Sequence, residues 1–186
     1  MSDERLIREW CSCFVKSIRS GGALFTVVLV LSVTACNPAL TRVSPSPPIH
    51  SLAGGCAGTV LTDAEPPNWS QGGWSNTKAP WPVPWALGTP ADAVAFLFAI
   101  RLVAGSSPRV NGTSNKVLWV LRDPSTFMVE GRPLGQSQPV VTAQGGPSIV
   151  DVPAAGCWTF RLLWVSGGAP HSSVINLDVL PAGTAP

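Results

Sequence analysis

The chain has 186 residues, with 12 Lys and Arg against 10 Asp and Glu, so its formal net charge is only +2. A balance this close to neutral gives no electrostatic case for binding nucleic acid or an acidic partner. The composition combines 18 Gly, 19 Pro and 8 Trp with no Tyr, and only 12% of the residues are charged. Together with abundant Val and Leu, this excludes a disordered chain and favours a compact β-rich domain.

Residues 1–35 contain the three parts of a secretory signal peptide. Lys16 and Arg19 supply positive charge, residues 23–33 form an apolar run, and the small pair at 34–35 precedes a cleavage point. A membrane-spanning helix needs about 20 consecutive apolar residues, and this run is roughly half that length. We therefore predict that residues 1–35 are removed during export.

The residues VTAC at 33–36 resemble the lipobox of bacterial lipoproteins, in which an aliphatic and two small residues precede an invariant cysteine. The resemblance implies that the Cys36 thiol receives a diacylglyceryl group and that a signal peptidase cuts before it. Two or three acyl chains would hold the protein stably on the membrane, at about 0.8 kcal/mol per buried methylene. The implied location is the extracytoplasmic face of a bacterial membrane. The alternative is a free cysteine at the end of a membrane helix.

The other cysteines favour a single disulfide. Cys11 and Cys13 lie in the predicted signal peptide, and two such ligands without partners make a poor metal site. Once Cys36 is lipidated, Cys56 and Cys157 remain as a pair in an oxidising compartment. We predict that they are bonded, which closes a loop of about 100 residues and adds at most about 4–5 kcal/mol in the chain-entropy treatment.

The remainder of the chain divides into three parts by composition. Residues 36–55 are rich in Pro, Ser and small residues, which predicts a lipidated cysteine followed by an extended, semi-rigid tether. Residues 56–181 are predicted to form the folded domain. Residues 182–186 are predicted to be a disordered tail.

Within the domain, short apolar segments alternate with Gly, Pro and Asn turns, which is typical of strands. The run 93–104 is almost continuously apolar and predicts a central strand buried on both faces, with a helix capped at 89–92 as the alternative. Period-two alternation in two C-terminal segments places Trp158, Phe160, Leu162 and Trp164 on one face, and Ile175, Leu177 and Val179 on another. The predicted strands are 58–62, 93–104, 116–122, 127–130, 139–143, 148–152, 156–165 and 173–180.

Seven or eight short strands without a convincing long helix predict an all-β fold, an antiparallel sandwich. The stretch VPAAGCWTF at 152–160, followed by a hairpin, looks like the last two strands of exported bacterial immunoglobulin-like domains. The resemblance implies an immunoglobulin-like sandwich. It departs from the antibody pattern, because a tyrosine corner is impossible without Tyr and Cys56 adjoins the first predicted strand. The strand order is therefore left open.

Residues 68–85 (NWSQGGWSNTKAPWPVPW) have no strand periodicity and contain four of the eight tryptophans. Long loops are often functional, and exposed indole rings stack well on sugars. The WPVPW unit at 81–85 would hold two rings on a stiff extended backbone. One interpretation is an aromatic platform for glycan strands, and the other is that the loop folds back so that its tryptophans cap an open end of the sandwich. The tryptophans concerned are Trp69, Trp74, Trp81 and Trp85.

Candidate catalytic residues are few. His50 lies in the predicted tether and His171 in a turn, whereas a Ser–His–Asp site requires a buried, oriented histidine. The sequence contains no metal-ligand cluster and no phosphate-binding motif, so we expect neither a metal nor a cofactor. Paired carboxylates for glycoside hydrolysis remain as an alternative that nothing in the sequence marks. The pairs are Asp63 with Glu65, and Asp123 with Glu130.

These observations lead us to expect a non-catalytic binding or interaction module, held in the cell envelope by lipid. The expected ligand of the Trp-rich loop is cell-wall glycan. The first alternative is a structural or accessory envelope lipoprotein that binds another protein and buries its tryptophans. A less favoured alternative is a hydrolase that uses carboxylates.

Overall fold

The computed structural model describes residues 50–75, 79–109 and 111–185, which form eleven β-strands, one short 3₁₀ turn at Asn68–Ser70 and no α-helix. The predicted signal peptide, Cys36 and most of the predicted tether lie outside the described residues. In the described part of the chain, no helix is long and apolar enough to cross a membrane. The strands are β1 (Ser51–Leu52), β2 (Leu61–Thr62), β3 (Trp85–Leu87), β4 (Ala93–Leu97), β5 (Leu102–Val103), β6 (Lys116–Leu121), β7 (Phe127–Pro133), β8 (Val141–Gln144), β9 (Gly146–Ile149), β10 (Gly156–Ser166) and β11 (Ala169–Leu180).

The strands form two sheets. The first sheet has six strands in the order β1-β2-β3-β4-β6-β9, and all neighbours are antiparallel. The second has five strands in the order β5-β11-β10-β7-β8, and here β5 runs parallel to β11. The all-β, two-sheet prediction is confirmed. The described residues form eleven strands where seven or eight were predicted, and the parallel pair departs from the predicted antiparallel arrangement.

The longest hairpin, β10–β11, ends in a two-residue loop, because Ser166 pairs with Ala169. Both loop residues, Gly167 and Gly168, have positive φ angles, of 57° and 80°. A two-residue loop of this type matches the right-handed twist of paired strands and requires positive φ at both positions, which glycine adopts without steric cost. The Gly-Gly pair therefore fixes the register of the hairpin.

Alternate side chains of both sheets meet in one apolar core. The two C-terminal faces predicted from the alternation are buried, and so are the inner residues of the six-stranded sheet. Burial of large apolar side chains is the main favourable contribution to folding, at roughly 25 cal/mol per Å². The core side chains include Trp158, Phe160, Leu162, Trp164, Ile175, Leu177 and Val179 from the five-stranded sheet, and Ala93, Ala95, Leu97, Val117, Trp119 and Leu121 from the six-stranded sheet.

The apolar run 93–104 is neither the single strand nor the helix considered above. Its first part is β4 in the six-stranded sheet and its last part is β5 in the five-stranded sheet. Between them the chain turns, since the Ile100 N–H donates to the Leu97 carbonyl at 3.1 Å and Ile100 has a φ of 61°. The run is apolar almost throughout because both strands are buried, although in different sheets.

Among the described residues, strand pairing begins at Ser51, inside the segment 36–55 predicted as the lipidated cysteine and tether. Ser51 and Leu52 pair with the two residues of β2. Only the end of the predicted strand 58–62 is paired, as β2. The six-stranded sheet therefore starts a few residues before Cys56.

The predicted disulfide between Cys56 and Cys157 is confirmed, with the two Cα atoms 6.0 Å apart. Cys56 also donates its N–H to the Asn176 carbonyl on β11, at 3.2 Å. The Gly54 carbonyl accepts a hydrogen bond from the Asp178 N–H, at 2.8 Å. The segment between β1 and β2 is thus fastened to the five-stranded sheet by backbone hydrogen bonds and by a covalent bond.

Candidate functional site

The Trp-rich loop packs on the outer face of the six-stranded sheet. Val94 and Phe96 of β4 point away from the main core, since successive residues of a strand face opposite sides, and both are fully buried. Their cover is a second apolar cluster, made largely of the loop. Its members are Trp69, Trp74, Trp81, Val83, Trp85, Leu87, Val94, Phe96, Leu118 and Val120.

The WPVPW unit does not present two rings to solvent. Trp81 is 3% exposed and Trp85 is 8% exposed. Trp85 begins β3, and its indole N–H donates to the Ala64 carbonyl at 2.7 Å. The loop folds back, but it covers a sheet face rather than an open end of the sandwich as the alternative interpretation had it.

The two remaining tryptophans of the loop are partly exposed and lie near opposite ends of the face. Trp74 stacks on Phe98, with ring centroids 5.9 Å apart and planes 12° apart, and the Lys116 ammonium lies 5.1 Å from the Phe98 centroid. Trp69 lies under the guanidinium of Arg122, at 5.3 Å. Since Phe98 follows β4 and Arg122 follows β6, which is antiparallel to β4, the two tryptophans mark different ends of the sheet.

A polar cleft of about 370 Å³ opens at the Arg122 end of the sheet. It brings together two carboxylates, a guanidinium, a hydroxyl, an imidazole and an indole from three separate parts of the chain. Arg122 follows β6 and lies 3.7 Å from the Asp92 carboxylate at the start of β4. His171 on β11 stacks on Trp164, with centroids 5.6 Å apart. The lining residues are Asp92, Arg122, Asp123, Trp164, Ser166 and His171.

The Asp123 carboxylate lines this cleft and is hydrogen-bonded to Ser125. It accepts hydrogen bonds from the side chain of Ser125 and, at 2.9 Å, from the Ser125 N–H. Hydrogen bonding from the Ser125 hydroxyl, then from the Ser166 hydroxyl and then from the Ser125 N–H holds the pKa of Asp123 below its usual value. Asp123 is therefore ionised at neutral pH and acts as a hydrogen-bond acceptor.

A larger groove of about 680 Å³ adjoins the polar cleft, because Trp164 lines both. The groove is more apolar than the cleft. Met128 and Val165 are exposed on its walls, although both are apolar. The other lining residues are Ser125, Thr126, Phe127, Gln144, Gly145, Gly146, Leu163 and Trp164.

The residues of the two alternative carboxylate pairs lie in different parts of the fold. The Asp63 carbonyl accepts from the Trp81 N–H at 2.6 Å, and the Glu65 carboxylate accepts from the Gln71 amide at 3.3 Å. Glu130 lies in the middle of β7, opposite Arg161 and Thr142. Among residues 50–75, 79–109 and 111–185, no three His, Cys, Asp or Glu side chains are grouped so as to hold a metal ion.

The sequence interpretation missed most of the polar cleft. It placed His171 in a turn, considered Asp123 as a member of a carboxylate pair, and did not single out Arg122 or Asp92. The available signal was weak: residues 122–125 (RDPS) put two charges beside a turn-forming Pro. His50 is exposed and borders β1, away from this cleft.

No protein-family model matches this chain, and no similar protein was found among curated proteins or solved structures. The geometry of the surfaces described above therefore carries the functional inference.

Proposed function

We propose that this protein is a lipid-anchored, non-catalytic binding module of the bacterial cell envelope, and that its ligand is a cell-wall glycan held at the Arg122 end. The observation that carries the proposal is the convergence of Arg122, Asp92 and Asp123 beside the rings of Trp69 and Trp164. Sugar recognition combines apolar ring faces with a few placed polar groups. The cleft supplies the polar groups, and the adjoining rings are Trp69 under Arg122 and the largely buried Trp164 beside His171.

The roles of the cleft residues follow from their chemistry. The ionised Asp123 carboxylate accepts hydrogen bonds from sugar hydroxyls, and Arg122 donates to ring, hydroxyl or carboxylate oxygens. Trp69 is the one residue of the predicted platform that borders this end, through Arg122. The proposed site therefore keeps the predicted ligand class but moves it away from Trp81 and Trp85.

The location rests on the VTAC motif at 33–36. Growth with labelled palmitate should label the full chain, and Cys36→Ser should abolish the label. Retention of the label in that variant would overturn the lipid anchor. The glycan site does not include Cys36 and is tested by a different measurement.

For the fold we infer an immunoglobulin-like sandwich built from β4 to β11. In that fold the strands C, F and G form one sheet with an added C′ strand, and A, B and E belong to the other. The order β8-β7-β10-β11 corresponds to C′-C-F-G, and the order β4-β6-β9 corresponds to A-B-E. The strands β1 to β3 extend the second of these sheets beyond the standard fold.

Retention of the full lipidated protein on insoluble peptidoglycan tests the glycan site. Arg122→Ala should lower the affinity roughly tenfold or more, since hydrogen bonds to charged groups contribute about 1.5–3 kcal/mol. Arg132→Ala is the matched control, because it removes the same charge from β7, outside the cleft. Equal retention of the two variants would overturn the proposed site.

One observation favours a second candidate function, the binding of another envelope protein. Trp81 and Trp85 are buried, and the groove beside the cleft exposes Met128 and Val165. Exposed apolar groups around a groove are typical of protein contacts. If wild-type protein is not retained on peptidoglycan and Met128→Asp abolishes cross-linking to one defined envelope protein, this candidate replaces the glycan module.

A further inference from the structure

We propose that the other end of the six-stranded sheet is a membrane-docking surface, on which the domain rests against the bilayer that holds its lipid anchor. The surface consists of Trp74, Phe98, Ile100 and Ile149, with Lys116 among them. The proposal rests on the lipid anchor of the proposed function. It adds a second contact with the membrane and an orientation for the domain.

The register of the sheet places Phe98, Lys116 and Ile149 in one row. Phe98 donates its N–H to the Lys116 carbonyl at 3.1 Å, and Lys116 pairs with Ile149. Opposed residues of neighbouring strands point to the same face. Phe98 is 43% exposed and Ile149 is 55% exposed, and Trp74 stacks on Phe98. Apolar rings and an aliphatic side chain thus lie together on the outer face, at its end.

The turn after β4 adds an exposed apolar residue two positions beyond Phe98. Ile100 is 58% exposed and has a φ of 61°, a conformation in which a β-branched residue is a genuine outlier. A turn selected only for stability would place Gly or Asn there. Strained backbone that persists in a fold is a reason to look for function. An exposed isoleucine held in this way fits insertion among lipid chains.

The path of the chain indicates that the bilayer is what this surface contacts. Ser51 pairs with Thr62, Thr62 with Trp85, and Trp85 with Phe96. All these neighbours are antiparallel, so the step from Ser51 back to His50 runs in the same direction as the step from Phe96 towards Phe98. The described chain therefore begins at the end of the sheet where the apolar surface lies.

The segment between Cys36 and the first described residue is short in sequence. Fully extended, residues 37–49 reach at most about 47 Å, at about 3.3–3.6 Å per residue. A lipidated Cys36 therefore keeps the start of β1 within that distance of the bilayer. A tether of this length raises the local concentration of the surface, so a contact too weak to bind a free domain is populated.

The charges near this end are mixed, since Asp63 after β2 and Asp151 after β9 lie there as well as Lys116. Lys116 is exposed and lies beside the apolar row, whereas Arg101 after the turn is paired with Asp178 at 2.5 Å. A basic residue next to aromatic and aliphatic side chains is the composition of interfacial membrane contacts. Docking at this end directs the polar cleft at the Arg122 end away from the bilayer.

Tryptophan quenching by brominated lipid tests the docking. The full lipidated chain is reconstituted into vesicles of phosphatidylethanolamine and phosphatidylglycerol, with or without bromine on the acyl chains. Seven tryptophans follow Cys36. We expect the brominated lipid to quench the part of the tryptophan fluorescence that comes from one of them, Trp74. Trp74→Phe should remove that loss, and the double change Phe98→Asp with Ile100→Asp should abolish it without releasing the protein from the vesicles.

Matched controls come from the far end of the domain. Met128→Asp with Val165→Asp adds the same charges to exposed apolar positions there, and quenching should be unchanged. Lys116→Gln should lower quenching in anionic vesicles but not in vesicles of phosphatidylcholine alone. Flotation with the vesicles but no quenching of wild-type protein would overturn the docking while leaving the anchor intact. Failure to float would instead overturn the anchor.

Discussion

The ring centroids of Trp119 and Phe160 lie 5.4 Å apart in the core, with Trp119 on the six-stranded sheet and Phe160 on the five-stranded sheet. The Trp119 indole N–H also donates to the Ser148 hydroxyl at 2.9 Å. The pair therefore joins the two sheets through ring contact while the polar atom of the indole remains satisfied.

Phe160→Ala should lower the free energy of unfolding by about 3–5 kcal/mol, because it leaves a cavity between the sheets. Urea unfolding of the variant and the wild type measures the difference. Val165→Ala is the control on the same strand, since Val165 is 62% exposed, and should change stability by no more than about 0.5 kcal/mol. Similar losses in both variants would contradict the assigned core.

Removal of the disulfide by Cys56→Ser with Cys157→Ser should cost about 2–5 kcal/mol, since a large loop of the unfolded chain is no longer closed. Urea unfolding under non-reducing conditions is the measurement. Treatment of the wild-type protein with reductant should shift its unfolding midpoint towards that of the double variant. If reductant leaves the unfolding midpoint unchanged, the disulfide does not form in the folded protein.

Trp81→Ala should destabilise the domain by about 3–5 kcal/mol, because the ring is buried against the outer face of the six-stranded sheet. Trp85→Phe keeps a ring but loses the hydrogen bond to Ala64, and should cost about 1 kcal/mol. Thermal unfolding followed by circular dichroism distinguishes them. If Trp81→Ala leaves the stability unchanged, the burial of Trp81 is contradicted and the interpretation of the loop as an exposed aromatic platform is favoured again.

Asn115→Ala should lower the free energy of unfolding several times more than a substitution at an exposed position does. The buried Asn115 amide donates to the carbonyls of Val103 and Val150 and accepts from the Val103 N–H, at 2.8, 3.0 and 3.0 Å. Each buried group left unpaired costs about 1–3 kcal/mol. Asn111→Ala is the control, since Asn111 is exposed and its side chain bonds to Thr113 alone among the described residues. Equal unfolding midpoints for the two variants would contradict this.

The lowered pKa of Asp123 makes part of the stability depend on pH. A pKa lower in the folded than in the unfolded state, where Asp titrates near about 3.9, means that folding favours the carboxylate. This contribution is present above the unfolded pKa and is lost as the pH falls through the folded pKa. The stability advantage of wild type over Asp123→Asn should therefore shrink between about pH 5 and pH 2. Thermal unfolding across that range measures it, and an advantage independent of pH would contradict the assignment.

Much of the fold follows from local pattern. The strict alternation in 156–165 and 173–180 assigned the buried faces of β10 and β11 correctly, because a strand turns alternate side chains to opposite sides. Exclusion of the predicted signal peptide and of Cys36 left two cysteines, which are bonded. These inferences needed no knowledge of neighbours across the sheet.

The candidate site could not be read in the same way. The polar cleft joins the start of β4, the turn after β6 and the β10–β11 hairpin, and these segments are far apart in the chain. Pairing between strands brings them together. Likewise, the run 93–104 is apolar in both of its strands, so composition gave no sign that it changes sheet near Ile100.

The sequence by itself determined the all-β class, the faces of the longest strands, the disulfide and a motif typical of a lipid anchor. Only the tertiary structure decided where the tryptophans lie, which face they cover and which charges meet at the Arg122 end. The physical reason is that periodicity records whether a side chain is to be buried, whereas the surface that buries it is set by contacts between residues distant in the chain.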